Sequence, residues 1–220
     1  MTAANSNAEM TAPGKLLCLI RHGQGKHNPR PSLGFLPGVL RCDAPLTHKG
    51  RKQARAISEG MSTLPFELVV VSPLSRTIET ATEVFGSGNE PPRVLCALMC
   101  ERCIAPADQG TALSELRSKH PHIEAWSGMA HMAERFWPKR SSRLSSAEHD
   151  MQERIELFKH WLLARPEACI ALVGHSAFFR SMTQQPKLGN CKALWCELQS
   201  DGTVRVCSPL PPPPGATTPD

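Results

Sequence analysis

At 220 residues with 40% hydrophobic content, the chain can bury the core of one ordinary domain, or of one domain with an elaborated lid, rather than of two. Its formal net charge of +5 is spread along the sequence, which suits anionic ligands but falls short of the dense basic stripe of a nucleic-acid binder, so no nucleic-acid partner is expected. Nine cysteines, an odd number, without a charged segment leading into an apolar leader, point to reduced thiols in a cytoplasmic protein, and no apolar run approaches the roughly 18 residues of a membrane span.

Residues 1–13 are small and polar with no Arg or Lys, which fits a disordered segment better than a mitochondrial presequence. The run Leu16-Leu17-Cys18-Leu19-Ile20 reads as a buried strand and ends in Arg21-His22-Gly23-Gln24. A Gly/Pro-rich loop from Gly23 to Pro45 follows. Next comes a helix capped by Thr47, whose apolar positions Ala54, Ile57, Met61 and Leu64 keep helical spacing until Pro65 stops it. Leu68-Val69-Val70-Val71 is a second strand. It runs into Ser72-Pro73, which reads as a polar cap with proline at the first position of a helix that buries Leu74, Ile78, Ala81 and Phe85 and carries Arg76 in its first turn.

Val94 to Leu98 is a third strand candidate and leads into Glu101. Residues 104–144 mix Pro, His, Trp and Arg with little periodicity and read as an insertion over the site. Ser145 and Glu148 form a capping-box pattern for a helix with Met151, Ile155, Phe158 and Leu162 on one face, ending before Pro166. A strand from Cys169 to Val173 ends in Gly174-His175, followed by a helix from about Ser176 and a strand near Ala193 to Leu198. The tail from residue 209 to 220, with Pro211-Pro212-Pro213-Pro214, is expected to be disordered. Residues 14–208 thus read as one α/β domain.

Three strand-like segments deliver Arg21 and His22, Arg76, and His175 at their C-terminal ends. In an open α/β sheet that edge is where ligands bind. Two imidazoles and two guanidinium groups converging there suit a tetrahedral dianion such as a phosphoryl group.

An ordered set of motifs adds to this. Arg21-His22-Gly23 with Asn28 six positions after the histidine, Pro45-Leu46-Thr47 with Gly50 and Gln53-Ala54, Ser72-Pro73-Leu74 with Arg76-Thr77 and Thr80-Ala81, and Val173-Gly174-His175 with Arg180 together resemble the histidine phosphatase superfamily, the phosphoglycerate-mutase-like fold, over about residues 16–180. The resemblance implies a three-layer sandwich, a mostly parallel central sheet flanked by helices. It implies His22 as the nucleophile that becomes phosphohistidine, Arg21 and Arg76 as the clamp on the phosphoryl oxygens, and His175 as a second phosphoryl-binding histidine, usually drawn protonated. Asn28 matches a hydrogen-bond donor to the phosphoryl group, although in a Gly/Pro-rich loop it also reads as a turn residue.

A leaving alkoxide must take a proton from a carboxylic acid held near it. Glu101-Arg102 resembles the position where the family places that acid, with Asp108 and Glu115 as rivals. Cys96, Cys100 and Cys103, with His120, His122 or His131, offer a weak metal pattern, one C-x-x-C without a second pair, and the inferred chemistry needs neither metal nor cofactor. Trp126, Phe136 and Trp137 either line a substrate cleft or seat the insertion on the core.

The expected activity is hydrolysis of a phosphomonoester, on a small phosphorylated metabolite or a phosphoprotein. The alternatives are a phosphoglycerate mutase and a catalytically idle module that binds phosphate esters or a protein. Gln24 stands where many members carry Glu, which removes a charge beside the nucleophile loop.

Overall fold

The computed structural model describes residues 14–28 and 42–207. The expected disordered ends, residues 1–13 and 209–220, and most of the Gly/Pro-rich loop lie outside the described residues. Six strands form one sheet in the order β3-β2-β4-β1-β5-β6. They are β1 (Lys15–Arg21), β2 (Leu68–Val71), β3 (Arg93–Leu95), β4 (Cys169–Gly174), β5 (Ala193–Leu198) and β6 (Val204–Val206). β3, β2, β4 and β1 run parallel, whereas β5 and β6 are antiparallel additions beside β1.

The central strands carry unbroken apolar runs, residues 16–20, 68–71 and 169–173, because both faces of the sheet are covered. Leu17, Leu19, Leu68, Val70, Ile170 and Leu172 point into one core. Cys18, Ile20, Val69, Val71, Ala171 and Val173 point into the other. The first core is closed by α4 (Leu144–Leu163) and α5 (Ser176–Thr183), through Met151, Ile155, Phe158, Leu162, Phe178 and Phe179. Phe158 is fully buried, and its truncation to Ala is worth about 3–5 kcal/mol of stability. The second core is closed by α1 (His48–Ser62) and α2 (Ser75–Phe85), and by Leu113 and Leu116 of the short α3 (Leu113–Lys119) with Ile123 and Trp126 after it. The fold is therefore α/β with helices on both faces of a mostly parallel sheet, as expected. Among the described residues, no helix is long and apolar enough to cross a membrane.

Local signals hold where they depend on neighbours in sequence. Thr47 caps α1, its hydroxyl accepting from the Gly50 amide at 3.0 Å. They fail where tertiary contacts compete. α2 starts at Ser75, with Leu74 rather than Ser72 as its N-cap, and the Ser72 hydroxyl turns to His175 instead. The capping box at Ser145 and Glu148 does not form: α4 is entered from Arg143, and Glu148 pairs with Arg102 at 2.6 Å. The third strand ends at Leu95, and a single 3-10 turn, Ala97–Met99, brings the chain to Glu101.

Candidate active site

β1 and β4 are neighbours, with Arg21 in register with Gly174. The next residue on each strand is a histidine, so the sheet itself sets His22 beside His175. Their ring centroids are 5.3 Å apart with the planes inclined at 60°, and both rings are buried. His22 Nδ1 lies 2.7 Å from the Gly23 carbonyl oxygen. A carbonyl only accepts, so Nδ1 carries the proton. Burial, with Arg76 and His27 adding like charge, holds His22 well below the ordinary histidine range. The ring is therefore neutral and its Nε2 keeps a lone pair.

His175 is held by Ser72, whose hydroxyl is 2.8 Å from Nε2. Its Nδ1 is buried without a hydrogen-bond partner among the described residues. Burial, then Arg76 and His22, push its pKa well below the usual value. The protonated form implied by the resemblance thus needs a nearby anion to stabilise it; among its cationic neighbours the ring stays neutral.

The loop after His22 is clamped by α1. A Cβ on Gly23 would stand 2.5 Å from the Gly50 carbonyl oxygen, and one on Gly50 would stand 2.2 Å from that of Gln24. Only glycine permits this approach. The neutral Gln24 side chain accepts from the Thr47 hydroxyl at 3.0 Å, tying the loop to the α1 cap.

A cavity of about 1030 Å³ opens at this edge, lined by Arg21, His22, Asn28, Glu101 and Asp108 among others. Arg21 is anchored by donating from Nη1 to the Leu188 carbonyl at 2.7 Å, and its Nε is buried with no partner among the described residues. Arg76 is fully buried behind the wall. It donates to the Ala107 carbonyl at 2.7 Å and to Asp108 Oδ1 at 3.3 Å, with Nε unpartnered among the described residues. Asn28 serves the turn, its Oδ1 accepting from the Gly25 amide at 2.8 Å while its Nδ2 lies 3.4 Å from His27 Nε2, and the residue lines the cavity.

The three carboxylates separate clearly. Glu101 is on the wall, with Oε1 accepting from the Arg102 amide at 2.9 Å and Oε2 from the Ala177 amide at 3.2 Å. Asp108 is also on the wall, but engaged with Arg76. Glu115 is exposed on α3 and pairs with Lys119 at 2.7 Å, so it is away from the site.

The sequence matches the model of the histidine phosphatase superfamily (branch 1) over residues 17–204. The chain belongs to that superfamily. It is 28% identical over 199 residues to phosphoglycerate mutase-like protein 1 of Arabidopsis thaliana, an alignment covering 74% of this chain and 69% of the relative. Among solved structures, it is similar to the ecdysone phosphate phosphatase of Bombix mori in complex with tungstate. That match has TM-score 0.57 and 15% identity, and covers 94% of this chain and 97% of that one. It is likewise similar to the alpha-ribazole phosphatase of Shigella flexneri, with TM-score 0.57 and 18% identity, covering 87% and 94%.

The superfamily motifs do not mark every residue that shapes this site. His27 lies 5.6 Å from His22 between ring centroids and lines the cavity. Burial first, then Arg76 and Arg21, lower its pKa to about 3. Arg154 of α4 donates to the carbonyls of Leu98 and Cys100, at 2.8 and 2.6 Å, and so pins the turn that presents Glu101. No sequence signal pairs Arg154 with that turn, whereas His27, one residue before a motif asparagine, was open to suspicion.

Other candidates resolve into packing. Cys96, Cys100 and Cys103 are buried thiols, raised by burial to about 11, about 12 and about 11. His122 meets the Thr82 hydroxyl at 2.9 Å, His120 faces Ser75 at 3.5 Å, and His131 is exposed. Among the described residues, no group of three His, Cys, Asp or Glu is arranged to hold a metal ion. Trp126 is buried in the second core under the Arg93 guanidinium, and Phe136 and Trp137 pack edge to face at 5.2 Å. Only the start of the insertion, Ile104, Ala105 and Asp108, and its end at Leu144 reach the cavity; its middle covers the sheet.

Proposed function

We propose that this chain is a phosphomonoester hydrolase acting through a phosphohistidine on His22. The observation that carries the reading is the tautomer of His22. With Nδ1 committed to the Gly23 carbonyl, Nε2 is a neutral nucleophile set among Arg21, Arg76 and His175. In the first step Nε2 attacks phosphorus in line, the bond from phosphorus to the ester oxygen breaks, and Glu101 gives that oxygen its proton. In the second step water attacks the phosphohistidine and loses its proton to the Glu101 carboxylate, while the N–P electrons return to His22. Arg21, Arg76 and the Asn28 amide stabilise charge on the transferred oxygens, and His175 takes up a proton as the dianion arrives. These protein cations supply what a metal cluster supplies elsewhere, so the reaction is proposed to be metal-independent; the free cysteines favour a cytoplasmic setting for it.

Arg180 and Lys187 also line the cavity and have no ion-pair partner among the described residues, whereas Arg102 is matched by Glu148. This favours small phosphorylated metabolites whose leaving group bears a second acidic group. The mutase reading has the likeness to a phosphoglycerate mutase-like protein behind it. Against it, the family's mutases carry Glu-Arg-His-Tyr-Gly where this chain has Glu101-Arg102-Cys103-Ile104-Ala105, and the chain contains no tyrosine.

Inorganic phosphate release and 3-to-2-phosphoglycerate interconversion, followed in parallel with EDTA present and 2,3-bisphosphoglycerate as primer, test the choice. Phosphate release that survives EDTA and is blocked by vanadate is expected. Interconversion outrunning release would establish the mutase, and silence in both assays from a folded protein would favour a binding module.

A further inference from the structure

We propose that Asp108 is a positioning residue for Arg76: it holds the guanidinium behind the cavity wall and yields it to a dianion that enters. Arg76 is fully buried, and among the described residues the carboxylate within reach of it is that of Asp108, at 3.3 Å. Both of its terminal nitrogens are committed to one short turn, Nη1 to the Ala107 carbonyl and Nη2 to Asp108. Asp108 is fixed in turn, because Oδ2 accepts from the Ala105 amide at 3.2 Å and closes the 3-10 turn Pro106–Asp108. Asp108 lines the cavity and Arg76 does not. An anion in the cavity and the Asp108 carboxylate therefore compete for the same buried cation, and the anion gains most when Asp108 gives up its charge.

The groups facing Asp108 are Arg76 from α2 and Glu101 and Cys103 from the segment before it. Burial, reinforced by Glu101 and opposed by Arg76, raises Asp108 to about 6. At neutral pH it is a competing carboxylate, and about one unit below its pKa it is mostly neutral. A dianion beside it raises the pKa further, so anion binding and proton uptake by Asp108 are linked.

The inference rests on the hydrolase reading only in requiring that the cavity accept a phosphoryl-like dianion. Sulfate stays a dianion across the range, so its binding to the full chain can be titrated calorimetrically between about pH 5 and about pH 7.5. The wild-type protein should lose affinity by about fivefold to tenfold over that range, with a midpoint near the pKa of Asp108. Asp108→Asn should be flatter by about that factor, binding sulfate more tightly than wild type at the upper end. His22 and His175 are present in both proteins, so the difference isolates Asp108. Asp108→Ser serves if the asparagine variant does not fold.

Uniformly weaker binding by the variants at every pH would reduce Asp108 to a structural role and overturn the proposal, as would a flat wild-type profile. Either result with phosphate release intact leaves the hydrolase reading standing. Absence of both sulfate binding and phosphate release would remove that reading as well.

Discussion

His22 and His175 follow paired residues of two adjacent parallel strands, Arg21 and Gly174, and so stand with ring centroids 5.3 Å apart. Burial, then Arg76 and His22, disfavour a proton on His175, and burial, then Arg76 and His27, disfavour one on His22, so both rings are neutral. The proposed nucleophile and its neighbour are thus set by strand register, and the residues that hold their rings should matter to rate more than to stability.

Ser72 tests that directly. It is fully buried, and its hydroxyl is the partner of His175 Nε2. Ser72→Ala removes the contact with little change in volume. It should lower kcat by about tenfold to a hundredfold through misorientation of His175, with KM moved far less. Steady-state kinetics with one phosphomonoester decide it, and wild-type kcat in the variant would rule out an orienting role.

Protonation of the buried histidines should couple stability to pH. His22, His27 and His175 all have folded pKa values below the unfolded value of 6.5, with His27 at about 3. Below the unfolded value the unfolded chain binds more protons, so these groups stabilise the fold above about pH 6.5 and lose that contribution as pH falls toward their folded values. Asp108 acts in the opposite sense, its raised pKa favouring the folded state between 3.8 and about 6 as pH falls. Three histidines outweigh it. Melting temperature should drop as pH is lowered from about 7 to about 4.5, and His27→Gln should drop less; a melting temperature that rises on acidification would contradict the neutral-histidine picture.

Arg180 and Lys187, cations on the cavity wall with no ion-pair partner among the described residues, should select substrates. Arg180→Gln and Lys187→Gln should each reduce kcat/KM by about tenfold for phosphomonoesters that also carry a carboxylate, one tenfold step being about 1.4 kcal/mol. Esters with a neutral leaving group should change by less than about threefold. Equal losses for both classes would mean that the two side chains support the fold rather than read the substrate.

The strands and the principal residues at their ends were legible because β1, β2 and β4 are buried on both faces and carry unbroken apolar runs. β6 was not, since Val204–Val206 is short and largely exposed. Ser72 and Glu148 were misread as caps because a polar residue before a helix carries the same local signal whether it bonds the backbone or a distant side chain. Only the pairing of β2 with β4 brings Ser72 to His175, and only the tertiary fold brings Arg102 to Glu148. The pairing of Arg76 with Asp108, 32 positions apart, leaves no trace in spacing.

The most direct measurement is rapid quenching of the protein with a labelled phosphomonoester, followed by mapping of the adduct. An acid-labile, base-stable label on His22 is expected, formed and lost at rates that match turnover, with His22→Ala losing activity by about 10⁴-fold. A label on serine or cysteine, or wild-type turnover in His22→Ala, would contradict it.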